Sequence, residues 1–228
     1  MKKNTKILLW IAGGVVVVGA AGAIALPHIY AAYAESIAEA PPTLAPATGD
    51  SSVDVDDLSG TWEVSDGSFA GYRVDEVLYD KDVTVTGRTE EVTGSLSADG
   101  LTLTAATVTV DVASITTPEP PRDAYFRDSA LETDRFPTAE FTLTEPVTAE
   151  RPEPGEIQSF SAVGELTLHG VTRSVTVDVQ AALVGDGGQV TGSIPIVFSD
   201  FGVQAPSLGF VTVEDHGFVE FSLTLTKR

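Results

Sequence analysis

The stretch GELTLHGVTRSVTVDV, residues 164–179, consists of two runs in which apolar and polar residues alternate, joined by His169-Gly170. Alternation with a period of two is typical of strands that bury one face. Gly170 can take the positive φ that a two-residue hairpin turn requires. The stretch therefore predicts a β-hairpin with His169 at its tip. There the imidazole is expected to hydrogen-bond a backbone carbonyl, or alternatively to contact a ligand.

The same period of two extends from about Val53 to the C-terminus. Thr and Val dominate these runs, and turns such as SADG and GDGG separate them. About eight strands of this kind predict a mainly β domain, an antiparallel up-and-down barrel or a sandwich. An eight-stranded barrel has an interior that side chains just fill, or that holds one small ligand. The runs are YRVDEV, DVTVTG, LTLTAATVTVDV, AEFTLTEP, GELTLHG, RSVTVDVQAALV, QVTGSIPIVF and VEFSLTLTKR.

Two segments break the alternation. In residues 116–141, RDAYFRDSAL follows two prolines and lacks a period of two, which predicts a short helical insertion over one end of the barrel. Its large apolar residues Phe126, Leu131 and Phe136 favour a packed segment over a solvated loop. The second segment, EPVTAERPEPGEIQSF at 145–160, is rich in Pro and Glu and is expected to be an exposed hairpin loop.

The N-terminal part has a different organisation. Residues 7–26 carry no charge, which predicts a transmembrane helix, and the three lysines before them place residues 1–6 in the cytoplasm. The Ala- and Pro-rich residues 27–52 are interpreted as an extracytoplasmic linker to a barrel at 53–228. The alternative is a secretory signal that is cleaved near Ala34 and releases the domain. Both interpretations place the barrel outside the cytoplasm.

Charge and cysteine content exclude several classes of protein. Of the 13 Lys and Arg residues, all but three lie beyond Leu26, as do all 33 Asp and Glu, so this part has a formal charge of −23. Such a surface repels nucleic acid and anionic headgroups, so no nucleic-acid partner is expected. Because there is no cysteine, the domain has neither disulfides nor a thiolate nucleophile.

Catalytic and metal-binding motifs are missing. The sequence has no G-x-S-x-G elbow, P-loop or dinucleotide-binding glycine pattern. Its three histidines, at 28, 169 and 216, are isolated from one another, and the acidic DVDD lacks the spacing of a calcium loop. No catalytic residue, metal ligand or cofactor is therefore predicted, and the protein is not expected to be an enzyme.

Alternation places one charged residue inside the barrel. In YRVDEV, Tyr72 and Glu76 face the same side, which is the predicted interior. A buried carboxylate is costly unless it is paired, and Arg88 is a candidate partner. Such a pair would stabilise the barrel or hold the polar head of a ligand. The alternative is that Glu76 lies at the end of its strand, in water.

The apolar inward positions form the predicted lining. Core packing is the default role of each residue, and as a set they could line a mostly apolar ligand pocket. The inward strand positions are Leu101, Leu103, Val108, Val110, Phe141, Leu143, Leu166, Leu168, Val175, Val177, Phe221 and Leu223. Phe126 and Phe136 of the insertion complete the predicted lining.

GELTLHGVTRSVTVDV, together with ASITT, PRDAYFRDSALETDRFPTAEFTL and FSDFGV, resembles the YceI-like family of polyisoprenoid-binding proteins. The similarity covers about 58–227, and the presence of an anchor is similar to versions from actinobacteria. It implies a lipocalin-like antiparallel barrel whose interior takes an isoprenoid chain, such as a quinone or polyprenyl lipid.

Individual positions carry this resemblance further. Arg122 and Asp123 match the family's Arg-Asp before the short helix, and His169-Gly170 match its hairpin. Phe136-Pro137 and Phe141 match its Phe/Tyr-Pro…Phe run. This chain has Tyr125 where the family often has histidine, and ALETDRF where paired phenylalanines are common. Both departures fall in the segment predicted to cover the barrel, where they bear on the identity of the ligand.

These observations support three hypotheses of function, in order of preference. The first hypothesis is a membrane-tethered barrel on the outer face of the cytoplasmic membrane that binds an apolar, isoprenoid lipid. The second is a filled structural barrel that acts as a cell-surface interaction module without a ligand. An enzyme acting on a lipid ranks last, since no nucleophile or metal site is found. The ligand and the oligomeric state are left open.

Overall fold

A computed structural model describes residues 28–44, 53, 57–153 and 156–228. The predicted cytoplasmic residues 1–6, the predicted anchor at 7–26 and the later part of the linker lie outside the described residues. Within the described ranges, no helix combines the length and apolar character needed to cross a bilayer.

In the described ranges, ten strands form one antiparallel sheet. Their alternating apolar positions face a common interior, and in spatial order the main strands run β10-β9-β8-β7-β5-β4-β3-β1-β2, with β6 beside β4. The strands are β1 (Gly60–Leu78), β2 (Lys81–Thr89), β3 (Val92–Asp99), β4 (Thr102–Asp111), β5 (Thr138–Leu143), β6 (Val147–Thr148), β7 (Gln158–Leu168), β8 (Val171–Val184), β9 (Gly187–Val197) and β10 (Val211–Lys227).

The sheet closes on itself because β10 returns to pair with β1, from Trp62 opposite Lys227 to Leu78 opposite Val211. Strands β2 and β3 both pair with β1 and together take one position in the barrel. Strands β5 and β6 do the same along β4. The result is an up-and-down barrel with eight strand positions, which confirms the predicted fold class.

The β7–β8 hairpin is the one predicted from residues 164–179. Leu166 and Val177 point into the interior and are almost fully buried. The turn residues His169 and Gly170 both have positive φ, 52° and 73°, as a two-residue turn requires. The His169 Nδ1 donates to the backbone oxygen of Phe201 at 3.1 Å. His169 therefore has the structural role expected for it at the hairpin.

We call the end of the barrel that carries this hairpin the helical end, and the opposite end the terminal end. The insertion after β4 crosses the helical end as α2 (Pro120–Tyr125), followed by a π-helical turn at Phe126–Ala130. Two prolines start α2, where a missing N–H costs nothing. The Phe126 ring stacks on Tyr72, with ring centroids 5.1 Å apart. The predicted short helical insertion is thus confirmed.

Two strands were not expected. Residues 145–160 are not simply a loop, because β6 pairs with β4 and the segment's last three residues begin β7. Strand β3 does alternate, but its inner face includes the small residues Gly94 and Ala98, which weaken the apolar signal. At that glycine an added Cβ would lie 2.5 Å from the backbone oxygen of Thr107, so close packing against β4 requires glycine.

The first half of the predicted linker packs against the barrel. Residues 28–36 form a helix, α1, whose Ala31 and Ala34 are buried against Val74, Leu78 and neighbouring valines of β2. Small side chains at these positions allow the helix to approach the sheet closely. The first part of the predicted linker therefore contains a helix that packs against the barrel.

Residues 37–44, which we call the strap, continue from α1 along the outside of the barrel. The Glu39 N–H donates to the Thr86 hydroxyl at 2.9 Å, and the Leu44 N–H donates to the Gln180 side chain at 3.4 Å. Beneath the strap, Arg73 and Glu220 form an ion pair of 2.6 Å that is largely shielded from solvent. Polar contacts of this kind satisfy backbone groups along the strap without requiring a periodic sequence.

We predict that Gly170→Ala destabilises the protein more than Gly100→Ala does. Both glycines have positive φ, 73° and 58°, so each substitution costs about 1–2 kcal/mol of backbone strain. At Gly170 the new Cβ would also lie 2.5 Å from the Phe136 ring, whereas at Gly100 it meets nothing within 4 Å. The clash should add about 1–3 kcal/mol, measured by denaturant unfolding. Equal losses for the two variants would contradict the packing described for the hairpin.

Candidate functional site: the interior of the barrel

The barrel formed by the described residues holds two cavities in its interior that are large enough for a ligand. One of about 300 Å³ lies toward the terminal end, and one of about 470 Å³ lies toward the helical end. Both volumes are in the range of small-molecule sites. Four residues line both cavities and form a waist between them: Ala70, Val110, Ala139 and Val219.

Small side chains keep this interior from being filled. Ala70, Ala106 and Ala162 point inward and are buried, at 2%, 7% and 6% exposure. An eight-stranded barrel has an interior just wide enough for large side chains to fill. Alanine at several inward positions leaves volume that no other side chain of the described part occupies.

The terminal-end cavity is almost wholly apolar. Trp62 contributes its ring, and the Trp62 Nε1 donates to the backbone oxygen of Leu58 at 3.0 Å, so its polar atom is satisfied. A few polar residues also line this cavity, and Gln158 and Gln189 are among them. The predicted lining residues found here are Leu101, Leu103, Val108, Val110, Phe141, Leu143, Leu166, Val177, Phe221 and Leu223.

The helical-end cavity combines apolar walls with a polar group of residues. Of the predicted apolar lining, Phe126, Leu168 and Val110 contribute to it. Val175 and Phe136 line neither cavity. Val175 packs within the core opposite Gly164, and Phe136 lies over the hairpin turn with its ring 4.8 Å from that of His169.

Glu76 and Arg122 form an ion pair at the wall of the helical-end cavity. The Arg122 Nη1 and Nη2 donate to the two carboxylate oxygens of Glu76 at 2.8 and 3.0 Å. The Glu76 side chain is 1% exposed and that of Arg122 is 23% exposed. The prediction that Glu76 faces the interior therefore describes its position, and the alternative of a solvated strand end is wrong.

Arg88 is not the partner of Glu76. It lies on the outer wall, where it pairs with Glu39 at 3.3 Å and its guanidinium stands 4.4 Å above the Phe69 ring. Alternation along β2 explains this placement, since Val83, Val85 and Gly87 share the inner face and Arg88 falls on the other. The suggested pairing of Glu76 with Arg88 is therefore wrong.

Asp123 and His169, the other predicted polar contacts, also lie away from both cavities. The Asp123 carboxylate accepts from the Thr117 N–H at 2.9 Å and from the Thr117 hydroxyl at 2.8 Å. These bonds fix the loop that leads into α2. The contacts of Asp123 and His169 in the structure are those of residues that shape the helical end.

Two tyrosines add hydrogen-bonding capacity beside the ion pair. Burial raises the pKa of Tyr72, so its phenol stays protonated at neutral pH. Burial, and then the negative charge of Glu119, raises the pKa of Tyr30 on α1. Burial by itself lowers the pKa of Arg122, but the hydrogen bonds and charge of Glu76 outweigh it and raise that pKa. The polar end of this cavity thus offers phenol donors beside an internally neutralised pair.

Tyr30 and Glu119 were not among the predicted site residues. Tyr30 lies in a segment without strand periodicity, and Glu119 stands between prolines in the insertion. No local pattern indicates that either residue reaches the cavity, because both are brought there by chain segments that cross the helical end. Among the described residues, no cluster of three or more His, Asp or Glu side chains is placed to hold a metal ion.

We predict that Arg122→Met lowers the free energy of unfolding by about 3–5 kcal/mol, because Glu76 is left as an unpaired buried charge. The double variant Glu76→Leu/Arg122→Met should recover most of that loss. The exposed pair of Arg135 with Glu132 provides the control, and Arg135→Met should cost less than about 1 kcal/mol. Denaturant unfolding measures all three variants. An Arg122→Met loss no larger than that of the control would show that the pair is effectively solvated.

Comparison with known proteins agrees with this architecture. The YceI-like domain model matches residues 62–225. A polyisoprenoid-binding domain from Saccharophagus degradans superimposes with a TM-score of 0.58 at 18% identity, covering 75% of this chain and 99% of that one. BcnA of Burkholderia cenocepacia has a TM-score of 0.51 at 23% identity, covering 67% of this chain and 95% of BcnA. No curated protein sequence matches the chain. Since the domain model spans most of the chain and the barrel has the corresponding fold, this protein belongs to the YceI-like family.

Proposed function

We propose that the protein binds an apolar lipid with an isoprenoid chain, such as a quinone or a polyprenyl lipid, inside its barrel. The observation that carries the proposal is the pair of apolar cavities that share a waist of Ala and Val side chains. Two cavities placed end to end suit an elongated ligand better than a compact one. The polyisoprenoid-binding domain from Saccharophagus degradans, with the same fold, supports this ligand class.

The apolar chain supplies the affinity. Each buried CH₂ contributes about 0.8 kcal/mol, so several isoprene units outweigh the cost of association and give micromolar or tighter binding. The terminal-end cavity, lined by residues such as Trp62, Phe141 and Phe221, provides the environment for this chain. Because the walls of this cavity have few polar groups, the affinity should depend more on the length of the ligand's apolar chain than on its substituents.

The helical-end cavity holds the polar head. Tyr72 offers a hydroxyl that stays protonated, and the charge of Arg122 is already matched by Glu76. A carbonyl or hydroxyl head is compatible with these neighbours. A doubly charged phosphate head is disfavoured because Glu76 and Glu119 line the same cavity. The ligand is therefore oriented with its head toward the helical end and its chain through the waist.

The barrel works next to a membrane, on the extracytoplasmic side. Support for this part of the proposal comes from the uncharged residues 7–26 and the lysines before them. Isoprenoid lipids are membrane components, so a tethered barrel would stay near the bilayer that contains its ligand. Binding, rather than catalysis, is the proposed activity.

A fluorescence titration tests the proposal. The chain has two tryptophans, so Trp10→Phe leaves Trp62, in the terminal-end cavity, as the only one. Farnesol added to the full-length protein in detergent micelles should shift the Trp62 emission in a saturable manner. The shift is expected because the prenyl chain of farnesol excludes water from the indole. A micelle-only titration provides the blank.

The matched variants are Ala162→Phe, which fills the terminal-end cavity, and Ala105→Phe, which adds the same ring on the exposed face of β4. Ala162→Phe should weaken farnesol binding about tenfold or more, equivalent to about 1.4 kcal/mol, while Ala105→Phe leaves the affinity unchanged. If wild type shows no saturable shift, or if a folded Ala162→Phe variant binds as well as wild type, the interior is not the binding site.

A further inference from the structure

Large apolar side chains are exposed around the helical end. Leu208 and Phe210, in the connection from β9 to β10, are 55% and 51% exposed, and Ile29 and Tyr33 on α1 are 63% and 49% exposed. Tyr79, at the β1–β2 turn, stacks on Phe210 with ring centroids 5.6 Å apart. We call these five residues the apolar rim. Apolar groups gathered at one end of a soluble domain mark an interaction surface.

The apolar rim surrounds the entrance to the helical-end cavity. Leu208 and Phe210 line that cavity while also being exposed, and Tyr30, next to Ile29, lines it from α1. Side chains that contact both the cavity and solvent define its mouth. A ligand entering here passes directly between α1 and the β9–β10 connection.

The backbone at the β1–β2 turn holds Tyr79 in the apolar rim. Tyr79 and Asp80 have positive φ, 49° and 61°, a conformation that is unfavourable for a bulky residue. In this turn the Tyr79 N–H donates to the backbone oxygen of Phe210 at 2.8 Å, and the two rings stack. The contact ties the two turns together, so the apolar rim is a built surface and not a set of independent loops.

We propose that the apolar rim inserts into the surface of a lipid bilayer, so that the mouth of the helical-end cavity opens onto lipid. The course of the chain supports this occupant, since the helical residues 28–36 follow the uncharged residues 7–26 closely in sequence. Tyrosine is enriched at the membrane interface, and Phe and Leu side chains bury at the boundary between headgroups and acyl chains. This inference rests on the proposed lipid ligand and adds the route by which it enters.

Insertion is driven by apolar burial and not by charge. The part of the chain beyond residue 26 has a formal charge of −23, which opposes contact with anionic headgroups. The rim itself has no positively charged member. A zwitterionic bilayer is therefore a sufficient partner, and the contact should depend little on salt.

The absence of cysteine from the chain allows a single-site label to test this. We compare Gly209→Cys, between Leu208 and Phe210, with Gly185→Cys at the terminal end. Both glycines have positive φ, 80° and 59°, and at both an added Cβ meets nothing within 4 Å, so the two variants carry matched strain. Each full-length variant is labelled with an NBD fluorophore and placed in phosphatidylcholine nanodiscs.

The emission of the NBD label at Gly209→Cys should shift to shorter wavelength and be quenched by doxyl-labelled lipid. Both effects should change little between low and high salt. The Gly185→Cys label should stay in water. The proposal is overturned if the Gly209→Cys label is as solvated as the control. It is also overturned if its shift requires two protein copies per disc without lipid quenching, which would assign the apolar rim to self-association.

A second comparison separates this inference from the proposed function. Phe210→Ser should slow the uptake of farnesol from donor vesicles at least several-fold. Phe218→Ser, which changes another exposed phenylalanine ring on the outer wall of β10, should leave the rate of uptake unchanged. Unchanged uptake in Phe210→Ser would overturn the entry route while leaving lipid binding intact. If neither the wild-type protein nor either variant binds farnesol that is supplied in detergent, the proposed function itself is wrong.

Discussion

The pairing of β10 with β1 determines the rest of the structure. Strand β1 is 19 residues long and pairs with β10 along nearly its whole length. This pairing turns an open sheet into a barrel and satisfies the backbone groups of both edges. Closure at eight strand positions also sets the diameter of the interior. With alanines at several inward positions, such as Ala106 and Ala162, that diameter leaves the two cavities unfilled.

The buried pair of Glu76 and Arg122 is the main polar element in this apolar interior. Such a pair gains little net stability over an apolar pair of the same volume, because both charges lose their hydration. Its position is more informative than its energy. It ties β1 to α2 at the helical end, next to Tyr72 and Tyr30, and makes the two ends of the cavity system chemically different. In the proposed function, that difference orients the ligand.

Periodicity predicted the fold class because the strands of a barrel alternate between an apolar interior and solvent. It also placed Glu76 and most of the predicted apolar residues on the inner face of the barrel. It could not identify Arg122 as the partner of Glu76, since 46 residues separate them and the two meet only because α2 crosses the helical end of the barrel. The strap and Tyr30 were missed for a related reason. Their contacts are polar or involve small side chains, and these leave no periodic signal in the sequence.

The most direct test of lipid binding inside the barrel is native mass spectrometry of the full chain, isolated from the cells in which it is made and followed by organic extraction. The wild-type protein should carry an added mass that fragments as a prenyl chain, and a folded Ala162→Phe variant should lack it. The same added mass on both proteins would place the lipid outside the barrel. A wild-type protein that carries no lipid, and gains none when prenyl lipids are supplied, would contradict the account.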